Sequence, residues 1–119
     1  MKTVLVVDDE ADIVAVILAV LADHDVTVLA AYDGRAALEL ARRERPDLVL
    51  SDVMMPGLDG RELCALIKAD PDLSGTRVAL MSAMYKLDLR EVDEDAFIPK
   101  PFGIDQLEGT ILRLLAGEG

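Results

Sequence analysis

Short apolar runs alternate along this chain with longer stretches whose apolar residues recur at helical spacing. Thr3-Val4-Leu5-Val6-Val7 is a continuous β-branched and apolar run, which fits a central strand buried on both faces. Asp8-Asp9-Glu10 ends it and opens a helix to about Asp23. Acids suit a helix N-terminus, where the backbone dipole is positive. Ile13, Val16, Ile17, Val20 and Leu21 form the expected core face of this helix. The opposite face is Ala15, Ala19 and Ala22, flanked by Val14 and Leu18, and it carries no charge. Two readings stand for it: an Ala-rich helix face, or a surface that docks a partner.

A second strand is predicted over residues 25–30, after His24 in the turn. Asp33-Gly34 opens a second helix through Ala37, Leu38, Leu40 and Ala41 to Arg45, and Pro46 stops it. Residues 47–51 read as a third strand, followed by Asp52 and a Met54-Met55-Pro56-Gly57 break. A turn at 57–60 leads to a helix over 61–68, which ends before Asp70-Pro71. Residues 77–81 and 96–98 are the fourth and fifth strands. Residues 84–95 between them predict a short or irregular helix. A closing helix spans 104–116, with Ile104, Leu107, Ile111, Leu114 and Leu115 toward the core. The alternation predicts an α/β fold: a doubly wound, five-stranded parallel sheet with helices on both faces and right-handed crossovers. Residues 1–119 are read as one domain.

Composition narrows the function. Hydrophobic residues make up 52% of the chain and its mean hydropathy is +0.31, which excludes a disordered chain. A net charge of -11 repels nucleic acid and anionic membranes, so neither is expected as a direct partner. The single cysteine, Cys64, rules out an internal disulfide and fits a reducing compartment. It sits among Leu63, Ala65, Leu66 and Ile67 and reads as a buried structural thiol. The start has no signal-peptide layout, and a soluble, cytoplasmic protein is expected. His24 has no Cys or His at ligand spacing and reads as a surface residue. The basic cluster Arg42-Arg43-Glu44-Arg45 lies at a helix C-terminus, where cations are favoured anyway.

The strand ends carry the chemistry. Asp8-Asp9 follow the first, Asp52 the third, Ser82 the fourth and Lys100 the fifth. In open α/β sheets that edge is where ligands bind. Each residue alone is an ordinary cap or loop polar group. Together they form a set. Three close carboxylates repel unless a cation joins them. An all-oxygen donor set favours a hard cation, Mg2+ or Mn2+. Mg2+ commonly takes one or two carboxylates and a phosphate, which leaves one acid free as a nucleophile toward a phosphoryl group. Lys100 and the Ser82 hydroxyl are suited to the transferring oxygens. The added charge on Asp52 then draws groups on mobile loops, which makes a switch.

At this point the sequence resembles the receiver domain of bacterial two-component response regulators, over nearly its whole length. The resemblance rests on Val4-Leu5-Val6-Val7-Asp8-Asp9-Glu10, on Asp33-Gly34 with Ala36-Ala37-Leu38, and on the run from Pro46 to Gly60 around Asp52. Met81-Ser82-Ala83 and Lys100-Pro101-Phe102 complete it. It implies a flavodoxin-like sheet of order 2-1-3-4-5. It implies that Asp52 accepts a phosphoryl group from a histidine kinase or a histidine phosphotransfer protein. Asp9 and Asp52 are implied to bind Mg2+ directly, Asp8 through water and Met54 through its backbone carbonyl. Ser82, the Ala83 backbone N–H and Lys100 are implied to hold the phosphoryl oxygens. Lys100-Pro101 is implied to be a cis peptide. Ser82 and Phe97 occupy the switch positions, and Val14, Leu18, Ala22 and Pro101 the partner-docking positions.

Some features depart from the family pattern. The interval from Ser82 to Lys100 is short, and Asp93-Glu94-Asp95 replaces the usual Gly-Ala-Asp, so a shortened fourth helix is expected before the fifth strand. Pro99 lacks an N–H and requires that strand to be an edge. Met54 and Met84 flank the expected phosphoryl site and orient no water, so slow self-dephosphorylation is expected. No effector domain follows Gly119, so the chain is read as a lone regulator or as a receiver whose output domain is missing, acting through an effector protein. The expectation is a phospho-acceptor rather than an enzyme with a turnover substrate. One rival is a receiver-like binding module that works without phosphorylation. The other is a Mg2+-dependent phosphatase or phosphotransferase with an aspartyl nucleophile. Such enzymes commonly carry a second acid two residues on, where this chain has Met54.

Overall fold

The computed structural model describes residues 1–84 and 92–117. Five parallel strands run β1 (Lys2–Val7), β2 (Val26–Ala31), β3 (Leu48–Asp52), β4 (Arg77–Ser82) and β5 (Ala96–Pro99). Among the described residues the helices are α1 (Ala11–Leu21), α2 (Gly34–Glu44), α3 (Gly60–Ala69) and α4 (Ile104–Leu115), with a 3-10 turn at Pro71–Leu73. The sheet order is β2-β1-β3-β4-β5, as the resemblance implied. Of the short or irregular helix expected over 84–95, residues 85–91 lie outside the described residues, and residues 84 and 92–95 are not helical.

Two apolar layers hold the sheet. Val4, Val6, Leu48, Leu50, Ala79 and Met81 point to α1 and α4. Leu5, Val7, Val49, Val78 and Leu80 point to α2 and α3, and Cys64 is buried there as expected. This period-two division explains the continuously apolar central strands, since both faces are covered. Among the described residues β5 pairs only with β4, so Pro99 lies on an edge strand, where its missing N–H costs no ladder bond. Asp95, just before β5, accepts 2.7 Å hydrogen bonds from the Val78 N–H and from Lys68 Nζ. The one acid of this stretch that the usual Gly-Ala-Asp pattern also carries thus ties β4 to α3.

Two faces differ from the sequence reading. In α1 the buried residues are Val14, Ile17 and Leu21, while Val16 is 41% exposed. Val14 is therefore core and no docking residue, and Val16 is surface. The helix is apolar all round, so its own pattern does not fix which side faces the sheet. Packing against β1 and α4 does. Leu18 and Ala22 remain exposed. Ile104 was expected in the core but is 57% exposed, because it begins α4 and precedes the first inward residue, Leu107. His24 is more than a surface residue: its Nε2 lies 2.8 Å from Glu108 Oε2 and ties the end of α1 to α4. No described helix is long and apolar enough to cross a membrane.

The rotated α1 face gives a paired test. Val14→Asp buries an unpartnered carboxylate and is expected to cost several kcal/mol, on the order of 3. Val16→Asp is expected to stay within about 0.5 kcal/mol of the unsubstituted protein. Urea unfolding midpoints check both, and equal losses would contradict the described face.

Candidate functional site

The parallel register brings the strand-end residues to one edge. Val7 pairs with Ser51, so Asp8 and Asp52 follow side by side. Asp52 pairs with Met81 and Ser82 with Pro99, so Ser82 and Lys100 lie just beyond on the neighbouring strands. The site is therefore a consequence of where four apolar runs stop.

At its centre one ammonium joins two acids. Lys100 Nζ lies 2.7 Å from Asp8 Oδ2 and 3.2 Å from Asp52 Oδ1. Asp8 is fully buried and Asp52 is 5% exposed. The Glu10 N–H donates to the other Asp8 oxygen at 2.9 Å, so Asp8 also holds the turn that leads into α1, whose N-cap is Glu10. Burial pushes the Asp52 carboxyl above its ordinary value, and the Asp8 charge adds to the rise, while Lys100 opposes it. Burial works against the Lys100 ammonium too, but its contacts with Asp8 and Asp52 outweigh that and raise it.

The backbone around Asp52 is held from several directions. The Ser51 hydroxyl donates to the Asp52 carbonyl at 2.9 Å. The Val53 N–H donates to Met81 O at 2.8 Å, and the Gly60 N–H donates to Val53 O at 2.9 Å. Ser82 is buried at the end of β4, and its Oγ accepts from the Met84 N–H at 3.0 Å. The Lys100 N–H donates to Ser82 O at 2.9 Å, and the Lys100-Pro101 peptide is cis.

A hard cation suits this edge. Carboxylate oxygens of Asp8, Asp9 and Glu10 lie within 4.8 Å of one another, beside a buried Asp52 whose charge is only partly offset. All donors are oxygens, which is the chemistry of Mg2+ or Mn2+ rather than of zinc. Glu10 belongs to this group although its role as a helix-opening acid hid it in the sequence. The described structure thus brings together Asp8, Asp52 and Lys100 by direct contact, with Asp9 and Ser82 at the same edge. Met54 and Met84 are about half exposed on the loops after β3 and β4, and Ala83 is exposed next to Ser82. Phe97 is partly exposed on the edge strand β5, and Pro101 is exposed. Ser51 was missed, because its hydroxyl reads as one more strand residue until the Asp52 carbonyl is placed.

Comparison with known proteins agrees with this geometry. Residues 4–112 match the family described as response regulator receiver domain. The chain is 37% identical over 118 residues to histidine kinase P4 of Formosa agariphila, covering 96% of this chain and 8% of that protein. It is 34% identical over 116 residues to response regulator MprA of Mycolicibacterium vanbaalenii, covering 94% and 49%. The chain thus spans less than half the length of either relative. Its fold superposes with a TM-score of 0.86 on the receiver domain of a Pseudomonas aeruginosa sensor histidine kinase, at 26% identity over 97% of this chain and 98% of that one. That structure has a magnesium ion coordinated in its active-site cleft.

The ion triad has a pH signature. A carboxyl whose folded pKa is raised loses stability as pH rises above its unfolded value of about 4. Asp52→Asn is therefore expected to raise the urea midpoint at pH 7, with the gain fading as pH falls toward about 4. Lys100→Met leaves two buried acids facing each other and is expected to cost about 3 kcal/mol at pH 7, less in acid. A pH-independent effect of either substitution would contradict the triad.

Proposed function

The chain belongs to the response regulator receiver domain family, and from that premise we propose that it is a phospho-acceptor switch with Asp52 as the acceptor. The observation that carries the reading is the Lys100 ammonium held between Asp8 and Asp52 at the sheet edge. The donor is a phosphohistidine of a histidine kinase or a histidine phosphotransfer protein. An Asp52 carboxylate oxygen forms a bond to phosphorus as the phosphorus–nitrogen bond breaks, and the histidine nitrogen leaves with the electron pair. Asp9, Asp52 and the Met54 carbonyl, with Asp8 through water, would hold Mg2+ (or Mn2+), which would supply charge neutralisation for the transferring oxygens.

This chain's residues do the rest. Lys100 exchanges part of its contact with the acids for a phosphoryl oxygen. The Ser82 hydroxyl and the Ala83 N–H donate to the others. The Ser82 hydroxyl accepts from the Met84 N–H and keeps its own proton to donate, so its turn toward a phosphoryl oxygen is passed to Met84, just after β4. Phe97, paired beside Leu80 on β5, is the second switch position. Leu18, Ala22 and Pro101 form the docking surface, without Val14. Exposed Met54 and Met84 orient no water, which supports slow self-dephosphorylation and a long-lived signal. The output passes to an effector protein or an output domain, in the cytoplasm and without direct contact to nucleic acid or membrane.

Intact-mass measurement with acetyl phosphate tests the reading. One added phosphoryl group, dependent on Mg2+ and absent from Asp52→Ala, is expected, and it should outlast seconds. No adduct with any divalent cation would overturn the reading in favour of a module that binds partners unphosphorylated.

A further inference from the structure

Helices α2 and α3 start with the same tripeptide, Asp33-Gly34-Arg35 and Asp59-Gly60-Arg61. In each the aspartate is the N-cap. Asp33 accepts from the Ala36 N–H at 2.8 Å and Asp59 from the Glu62 N–H at 3.0 Å. The glycine that follows is a poor helix residue, because it loses the most backbone freedom on ordering. Neither glycine has a positive φ, so the turn itself does not ask for glycine. Space does. A Cβ on Gly60 falls 2.3 Å from the Asp52 carbonyl oxygen and 2.8 Å from Val53 Cα. A Cβ on Gly34 falls 2.2 Å from the Leu58 carbonyl oxygen. All of these are backbone atoms, which cannot swing aside as a side chain would. By contrast, Gly75 and Gly109 have open space around the same position.

The two contacts bracket one segment. Gly60 rests on its beginning, at Asp52 and Val53, and Gly34 on its far end, at Leu58. Between them lie Met54 and the Gly57 turn, with Gly57 at φ +75°. The Gly60 N–H also holds Val53 O at 2.9 Å. We propose that Gly34 and Gly60 are positioning residues of the phospho-acceptor site, allowing two helix starts to lie directly on the 52–58 backbone and so fixing the Asp52 carboxylate and the Met54 carbonyl at the height the cation requires. The inference rests on the receiver reading and deepens it. Neither glycine touches cation or phosphoryl group. They act through the backbone that does. A site of this kind loses function when its supports shift by a fraction of an ångström, even with every acid in place.

The test is Gly60→Ala, alone and combined with Gly109→Ala, against the unsubstituted protein. Gly109 sits mid-helix in α4 with nothing near its Cβ position, so Gly109→Ala is expected to raise the Tm and return stability lost at Gly60. The readouts are Tm, Mg2+ affinity by NMR shift titration without phosphodonor, and the rate of Asp52 phosphorylation by acetyl phosphate. At a temperature where all variants are folded, Gly60→Ala is expected to weaken Mg2+ binding and slow phosphorylation at least fivefold, with no recovery in the double variant. A merely structural glycine predicts a lower Tm and unchanged Mg2+ affinity in the folded protein, which would overturn the proposal. If Gly60→Ala does not fold, Gly34→Ala decides by the same readouts. An unsubstituted protein that neither binds Mg2+ nor gains a phosphoryl group would sink the receiver reading itself.

Discussion

The structure turns on one ammonium between two buried carboxylates. Asp8 and Asp52 stand at the ends of adjacent central strands because the β1–β3 register places them there. Both are removed from water, and burial together with the neighbouring Asp8 works against the charge on Asp52. Lys100 arrives from the edge strand and meets both, at 2.7 and 3.2 Å. A site assembled this way is poised. One ammonium offsets only part of two carboxylate charges, and either a second cation or a transferred phosphoryl group would redistribute them.

What surrounds the triad is devoted to holding backbone. Ser51 fixes the Asp52 carbonyl, Val53 is tied to Met81 and Gly60, and the starts of α2 and α3 lie against the loop with no side chain between. The loop after β4 is different. Its first turn is held by the Ser82 hydroxyl, which receives the Met84 N–H. The side held through backbone thus carries Asp52, the proposed acceptor, and the other side carries Ser82, the hydroxyl proposed to meet the phosphoryl group. On the proposed reading that division suits a switch, since a signal must move something while the chemistry stays in place.

Much of this was legible in the sequence, for a physical reason. Strands buried on both faces are apolar throughout, so the polar residue that ends each run marks the sheet edge, and Asp8, Asp52, Ser82 and Lys100 announce themselves. The sheet order and the edge position of Pro99 followed from the family pattern. The face of α1 was not legible: a helix with apolar residues on every side gives no phase, and Val14 and Val16 exchanged places. Ile104 failed similarly, at a helix end where periodicity has no preceding turn to anchor it. The pairing of His24 with Glu108 joins residues far apart in sequence, and the crowding at Gly34 and Gly60 is a tertiary fact. Both read locally as a turn residue and as helix-start glycines.

The most direct test of the triad as a phosphoryl site is a crystal structure of the protein with Mg2+ and beryllofluoride, a stable mimic of an acyl phosphate. The account predicts the beryllium on an Asp52 carboxylate oxygen, with Lys100 Nζ and Ser82 Oγ turned onto its fluorines. A structure in which Lys100 keeps both carboxylates and beryllofluoride binds elsewhere, or not at all, would contradict it.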